Sequence, residues 1–116
     1  MNSPLRQLLD AQLPLPGVAA YAVRLPDLAV GQESFGDWFT PDQVAHFLAR
    51  MIQAVENLRR HQLDPVRLCW VFEHARVHLA LRPDGACLAL FVENRPVVQA
   101  EEITQLIKHF LTLPEL

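Results

Sequence analysis

The chain has 116 residues, of which 51% are hydrophobic and 20% are charged, with a formal net charge of −3. This length predicts one domain, residues 1–116, with a proper core, and the composition excludes a disordered chain. Basic residues are scattered, so we expect no nucleic-acid partner, because nucleic-acid binding needs a clustered basic face. The longest apolar run, residues 86–92, is far shorter than the ~20 residues that cross a bilayer. We therefore expect a cytoplasmic protein with no membrane partner.

The first third of the chain predicts one short helix and two strands. In SPLRQLLDAQ, Ser3–Gln12, a proline suits the first helical turn and leucines recur at helical spacing. The following segment LPLPG ends this helix, because its prolines lack amide donors and disfavour helical backbone angles. Residues 18–25 and 28–32 then predict two strands joined by a short turn at Pro26 and Asp27.

The best-specified element is a long helix over residues 40–61. Thr40 is a natural N-cap, Pro41 suits the first turn, and Gln43 completes a capping box. An apolar stripe follows at steps of three and four residues, which predicts a helix lying on a large surface. The stripe consists of Val44, Phe47, Leu48, Met51, Ile52, Val55 and Leu58. Small residues flank it at Ala45, Ala49 and Ala54, and this flank is either core or a dimer seam.

Residues 67–92 predict a three-strand meander, and a final helix carries an apolar stripe over residues 103–111. With a loop at His74 and Ala75, Trp70 would pair with Leu79 across the first hairpin. The third strand is apolar on both faces, so both faces of the sheet should be covered. The predicted fold is an α+β domain of three layers, α/β/α, around a central antiparallel five-stranded sheet, in the order α-β-β-α-β-β-β-α.

The meander also contains residue types that bind metals or act as nucleophiles. In the predicted hairpin, Cys69 lies roughly 13 Å from His74, too far for both to bind one ion. Cys87 would lie two strands away from Cys69, about 9 to 10 Å, which is too far for a disulfide, and the face it occupies stays open. No serine, carboxylate pair or glycine-rich loop has the context of a catalytic site. We therefore expect no enzyme activity, no metal site and no cofactor.

This succession of elements resembles the Roadblock family of dynein light chains and its bacterial relatives. The features that carry the resemblance are LPGVAAYAV at the start of the sheet, the long amphipathic helix, and a meander that ends in LALFV before a closing helix. The resemblance implies a profilin-like, Roadblock-like fold, and nine arginines against one lysine suggest a bacterial source. It further implies a homodimer or heterodimer that acts as a non-enzymatic platform or regulator for other proteins, notably small Ras-like GTPases.

In the family, the long helix and the first meander strand meet their counterparts across a two-fold axis, so that two sheets join. The residues that this assigns to a dimer interface are Val44, Ala45, Leu48, Ala49, Met51 and Val55 of the helix, and Leu68, Trp70, Val71 and Phe72 of the strand. Trp38, Arg59 and Arg60 are candidates for a partner surface. The alternatives are a small-molecule-sensing domain, an effector or secretion chaperone, and a thiol enzyme that uses Cys69 or Cys87.

Overall fold

The computed structural model describes residues 3–95 and 100–114. Its elements follow the predicted order and confirm the predicted α+β class. They are α1 (Ser3–Gln12), β1 (Val18–Arg24), β2 (Val30–Ser34), α2 (Pro41–Arg60), β3 (Arg67–Val71), β4 (Ala75–Leu81), β5 (Cys87–Glu93) and α3 (Ala100–Thr112). No helix among the described residues is long and apolar enough to cross a membrane.

The five strands form one antiparallel sheet in the order β2-β1-β5-β4-β3, so β2 and β3 are its edges. On one face, α1 and α3 pack on a cluster that includes Leu88 and Leu90 of β5. On the other face, α2 packs on a cluster that includes Ala89 and Phe91. The central strand is therefore buried on both sides, and the predicted three layers are present. Cys87 lies on the α2 face, which decides the question that the sequence left open.

The long helix begins as its sequence predicts. Thr40 Oγ1 accepts a hydrogen bond from the Gln43 amide at 3.2 Å, and Gln43 Oε1 accepts one from the Thr40 amide at 3.0 Å. This reciprocal capping box satisfies two amides that the helix itself leaves unpaired. Phe39, just before the cap, packs on the cluster beneath α2 and so fixes the direction in which the chain enters the helix.

The turn between β4 and β5 is tied to the end of α3. The Gly85 amide donates to Arg82 O at 3.1 Å, and Gly85 has a φ of +94°, which favours glycine. The buried Arg82 side chain pairs with Asp84 at 2.9 Å and donates to the carbonyls of Phe110 and Pro114 at 2.6 and 2.9 Å. These bonds satisfy one carbonyl in the last turn of α3 and one just beyond its C-terminal end.

One strand boundary and one strand register differ from the sequence prediction. β2 begins at Val30 because the turn before it extends through Leu28, whose φ is 73°. In the first hairpin of the meander, Trp70 pairs with Val77, and the predicted partner, Leu79, is wrong. A shift of two residues keeps every side chain on its predicted face, so alternation alone cannot detect it.

The observed hairpin register is fixed by bonds at the turn that joins β3 to β4. The Phe72 amide donates to Ala75 O at 2.8 Å, so the two-residue loop is Glu73 and His74. Asn94, just after β5, donates from its side chain to Phe72 O at 2.8 Å and from its amide to His74 O at 3.0 Å. The turn is thereby anchored to the far end of the central strand.

Candidate functional site

Four residues that the sequence assigned to a dimer interface are part of the core of the single chain. Val44, Leu48, Met51 and Val55 are 0%, 2%, 6% and 1% exposed, and their side chains pack on the α2 face of the sheet. Val44, Leu48 and Val55 are therefore almost inaccessible to a second chain, whereas Met51 also borders an open cavity above β3 and β4. The apolar stripe of α2 therefore serves the intrachain core, and a role of these four residues in a dimer interface stays a prediction.

The alanine flank of α2 faces the opposite edge of the sheet from β3. Ala45 and Ala49 line a groove beside β2, together with Arg24, Val30 and Gln32. They lie there because α2 approaches β1 and β2 more closely than it approaches β3 to β5. The structure therefore does not bring the two alanines together with the predicted strand residues of the interface.

The offset of α2 leaves an apolar surface uncovered above β3 and β4, which we call the apolar shelf. Its apolar side chains are Phe47, Met51, Trp70, Phe72 and Val77, and it borders an open cavity of about 440 Å³ that His46 and Arg50 also line. Phe47 and Phe72 are 38% and 49% exposed, so large apolar side chains remain in contact with water. Uncovered apolar surface of this kind is typical of interaction sites. Of the remaining predicted strand residues, Leu68 is half-buried beside the shelf.

The sequence predicted Phe47 as part of the buried stripe and did not assign it to a surface. The residue lies at the margin of that stripe, and the offset of α2 turns this margin toward the shelf. Trp38 extends the same surface at one end: its ring stacks on Phe39 at 5.4 Å and it is 42% exposed. A second cavity, of about 270 Å³, joins Trp38 to Phe72, so Trp38 is continuous with the shelf.

The strand that borders the shelf, β3, has an open edge. The Phe72 amide donates to Ala75 O, and Val66 O accepts from the Leu81 amide, both at 2.8 Å. Since backbone groups alternate in direction along an antiparallel strand, the even-numbered residues of β3 face β4. Arg67, Cys69 and Val71 therefore direct their amides and carbonyls away from the sheet, and the Val71 side chain is 76% exposed.

On the face of β3 and β4 that lies opposite α2, two arginines contact one histidine. Arg67 Nη2 lies 3.4 Å from His78 Nδ1, and Arg76 Nε donates to His78 Nε2 at 3.2 Å. Burial and the two guanidinium groups lower the pKa of His78 to about 4, so its ring is neutral at pH 7. The strand edge therefore carries two positive charges beside an uncharged imidazole.

The remaining candidates lie elsewhere or show no catalytic arrangement. Arg59 pairs with Asp64 at 3.0 Å near the C-terminal end of α2, away from the shelf, and Arg60 is exposed. Cys69 is exposed on the β3 edge, whereas Cys87 is buried, which raises the pKa of its thiol. Within residues 3–95 and 100–114, no group of three His, Cys, Asp or Glu side chains is placed to hold a metal ion.

Comparison with solved structures identifies the architecture. An MglB with a tetrameric arrangement aligns at a TM-score of 0.68 and 14% identity, over 97% of this chain and 88% of that chain. MglB from Myxococcus xanthus aligns at 0.68 and 8% identity, over 94% and 86%. The Roadblock/LC7 domain from Streptomyces avermitilis aligns at 0.57 and 15% identity, over 93% and 92%. The chain has the Roadblock fold.

This finding confirms the resemblance and the fold class predicted from the sequence. No protein-family model and no curated protein sequence matches the chain. The likeness to MglB and to the Roadblock/LC7 domain is one of fold.

Proposed function

We propose that this protein is a non-enzymatic homodimer that serves as a scaffold or regulator for a small Ras-like GTPase or another protein partner. The observation that carries the proposal is the open β3 edge beside the apolar shelf. An edge strand this poor in charge invites pairing with another strand, and natural proteins usually protect such edges. Pairing with a second copy provides that protection.

In the proposed dimer, the two β3 strands pair antiparallel about a two-fold axis perpendicular to the sheet. Both α2 helices then lie on the same side of a joined sheet, and each can cover the apolar shelf of the other chain. The interface would use Leu68, Trp70, Val71 and Phe72, as the sequence predicted, together with Phe47. Large aromatic side chains in such a position commonly contribute most of the binding free energy.

The GTPase partner rests on the resemblance to the Roadblock family. The candidate contacts are Trp38, which precedes α2, and the exposed Arg59 and Arg60 at its C-terminal end, so they would form two separate contact points at opposite ends of a 20-residue helix. A Ras-like GTPase from the same genome, loaded with GDP or with a non-hydrolysable GTP analogue, should bind the wild-type dimer in titration calorimetry. The Trp38→Ala variant should bind it more weakly, while an exposed control, Leu28→Ala, should bind it as wild type does.

The dimer itself is tested by the solution mass from light scattering over a dilution series. Twice the chain mass of 13.2 kDa is expected. A mass of 13.2 kDa at every concentration would contradict the proposal. It would favour the second candidate, a small-molecule sensor, because the shelf cavity of about 440 Å³ falls in the usual range for ligand sites.

A further inference from the structure

We infer that Arg67 of each copy pairs with Glu73 of the other, and that these two ion pairs set the register of the dimer with Trp70 opposite Trp70. This inference rests on the proposed dimer and adds to it a specific partner for each charge. Arg67 opens β3 and Glu73 follows its end, three positions to either side of Trp70. The residues between them, Leu68 to Phe72, are uncharged.

The symmetry of an antiparallel pair converts this spacing into contacts. When two identical strands pair about Trp70, position 67 of one chain lies directly opposite position 73 of the other, and the contact occurs twice. Opposite charges at facing positions stabilise a strand pair, and like charges destabilise it. Moving the two-fold axis to Cys69 or Val71 shifts each arginine two positions away from the glutamate.

Within the described part of the chain, no carboxylate pairs with Arg67 and no Lys or Arg pairs with Glu73. Among the described ion pairs, none includes Arg67, whose nearest polar partner is His78 at 3.4 Å. Glu73 lies 3.6 Å from His74, and both side chains are largely exposed. Arg76 contacts the same histidine and so places a second positive charge near Arg67. A carboxylate from a second copy would relieve the repulsion between these arginines.

The turn that carries Glu73 is held in place before any partner arrives. Asn94 donates from its side chain to the carbonyls of Phe72 and Glu73, at 2.8 and 3.4 Å, and accepts from Arg76 Nη1 at 3.2 Å. Because the loop backbone is anchored to both β4 and β5, the contact with Arg67 of the second copy requires little further loss of loop entropy.

Charge reversal tests the ion pair. Arg67→Glu alone and Glu73→Arg alone should each raise the dimer dissociation constant by about tenfold or more, because each places like charges opposite one another. The double variant should return to within about threefold of wild type. Glu101→Arg, an exposed change of equal charge on α3, is the control and should have no effect. A double variant as weak as the single variants would overturn the pairing while leaving the dimer intact.

Disulfide trapping tests the register independently. Directly opposed residues have Cα atoms about 5.5 Å apart, which suits a disulfide, whereas diagonal neighbours are too far apart. With Trp70 at the axis, Val71→Cys should form a covalent dimer through Cys69 on oxidation. Wild type and the Cys69→Ala, Val71→Cys double variant should not form a covalent dimer, because their cysteines would be diagonal neighbours. Covalent dimers of wild type would place the axis at Cys69 and overturn the inferred register. A non-covalent dimer that forms no disulfide in wild type or in either variant would also overturn it. A monomer throughout would instead contradict the proposed function.

Discussion

The two edge strands of the sheet differ in sequence and in cover, although each has five residues and one side without a neighbouring strand. β2, VGQES, carries polar side chains, and α2 lies close beside it. β3, RLCWV, is apolar after its first residue and borders the uncovered shelf. Polar side chains on an edge strand disfavour pairing with another chain, whereas an exposed apolar edge strand favours it. The contrast therefore favours β3 over β2 as the seam of the proposed dimer.

The largest effect is expected from a proline that removes one outward amide from β3. Val71→Pro deletes an edge donor but no hydrogen bond within the chain, because the Val71 amide points away from β4. We expect the dimer to dissociate at micromolar concentration, as measured by sedimentation equilibrium. Val30→Pro on β2 is the matched control, since its amide also points outward. If both variants stayed dimeric, the seam would lie away from both edges.

A smaller loss is expected on truncation of the shelf. Phe47→Ala removes an exposed ring that would contact the second copy, and its cost should be about 2 kcal/mol, roughly a 30-fold rise in the dissociation constant. Leu28→Ala, which is 67% exposed near β2, should leave the dissociation constant unchanged. Equal effects of the two variants would show that the shelf adds nothing specific to the interface.

The pKa of His78 reports on the charges at the β3 edge. In the Val71→Pro monomer, an NMR titration should give a pKa of about 4, against an ordinary value of 6.5. Between these pH values the unfolded chain binds more protons than the folded chain, so stability falls as the pH drops from 6.5 to about 4. Arg76→Gln should raise the pKa of His78, and the distant Arg6→Gln should not. In the wild-type dimer, Glu73 of the second copy should also raise it.

The smallest effect is expected from loss of the N-cap of α2. Thr40→Ala removes the side-chain acceptor of the capping box and should cost about 1 kcal/mol of unfolding free energy, a few degrees in Tm. Thr112→Ala, near the end of α3, is the control. Because the cap acts on α2 within each chain, the dissociation constant measured below Tm should not change. A weakened dimer would mean that the start of α2 forms part of the seam.

Local chemistry in the sequence predicted most of the fold. The capping box of Thr40 and Gln43 and the turn at Gly85 each depend on neighbouring residues, so their patterns were sufficient. The hairpin register was not predictable in this way, because it depends on Asn94, which lies more than one strand away along the chain. Periodicity placed Ala45 and Phe47 on opposite margins of one apolar stripe, but the offset of α2 decided which margin faced β3.

The most direct test of the central claim is hydrogen exchange at the outward amides of both edges. We expect the Cys69 and Val71 amides on β3 to be protected in the dimer as strongly as amides inside the sheet. The outward amides of Val30, Gln32 and Ser34 on β2 should exchange rapidly at every concentration. Rapid exchange at Cys69 and Val71, in a protein whose mass is that of a dimer, would contradict the claim that β3 is the seam.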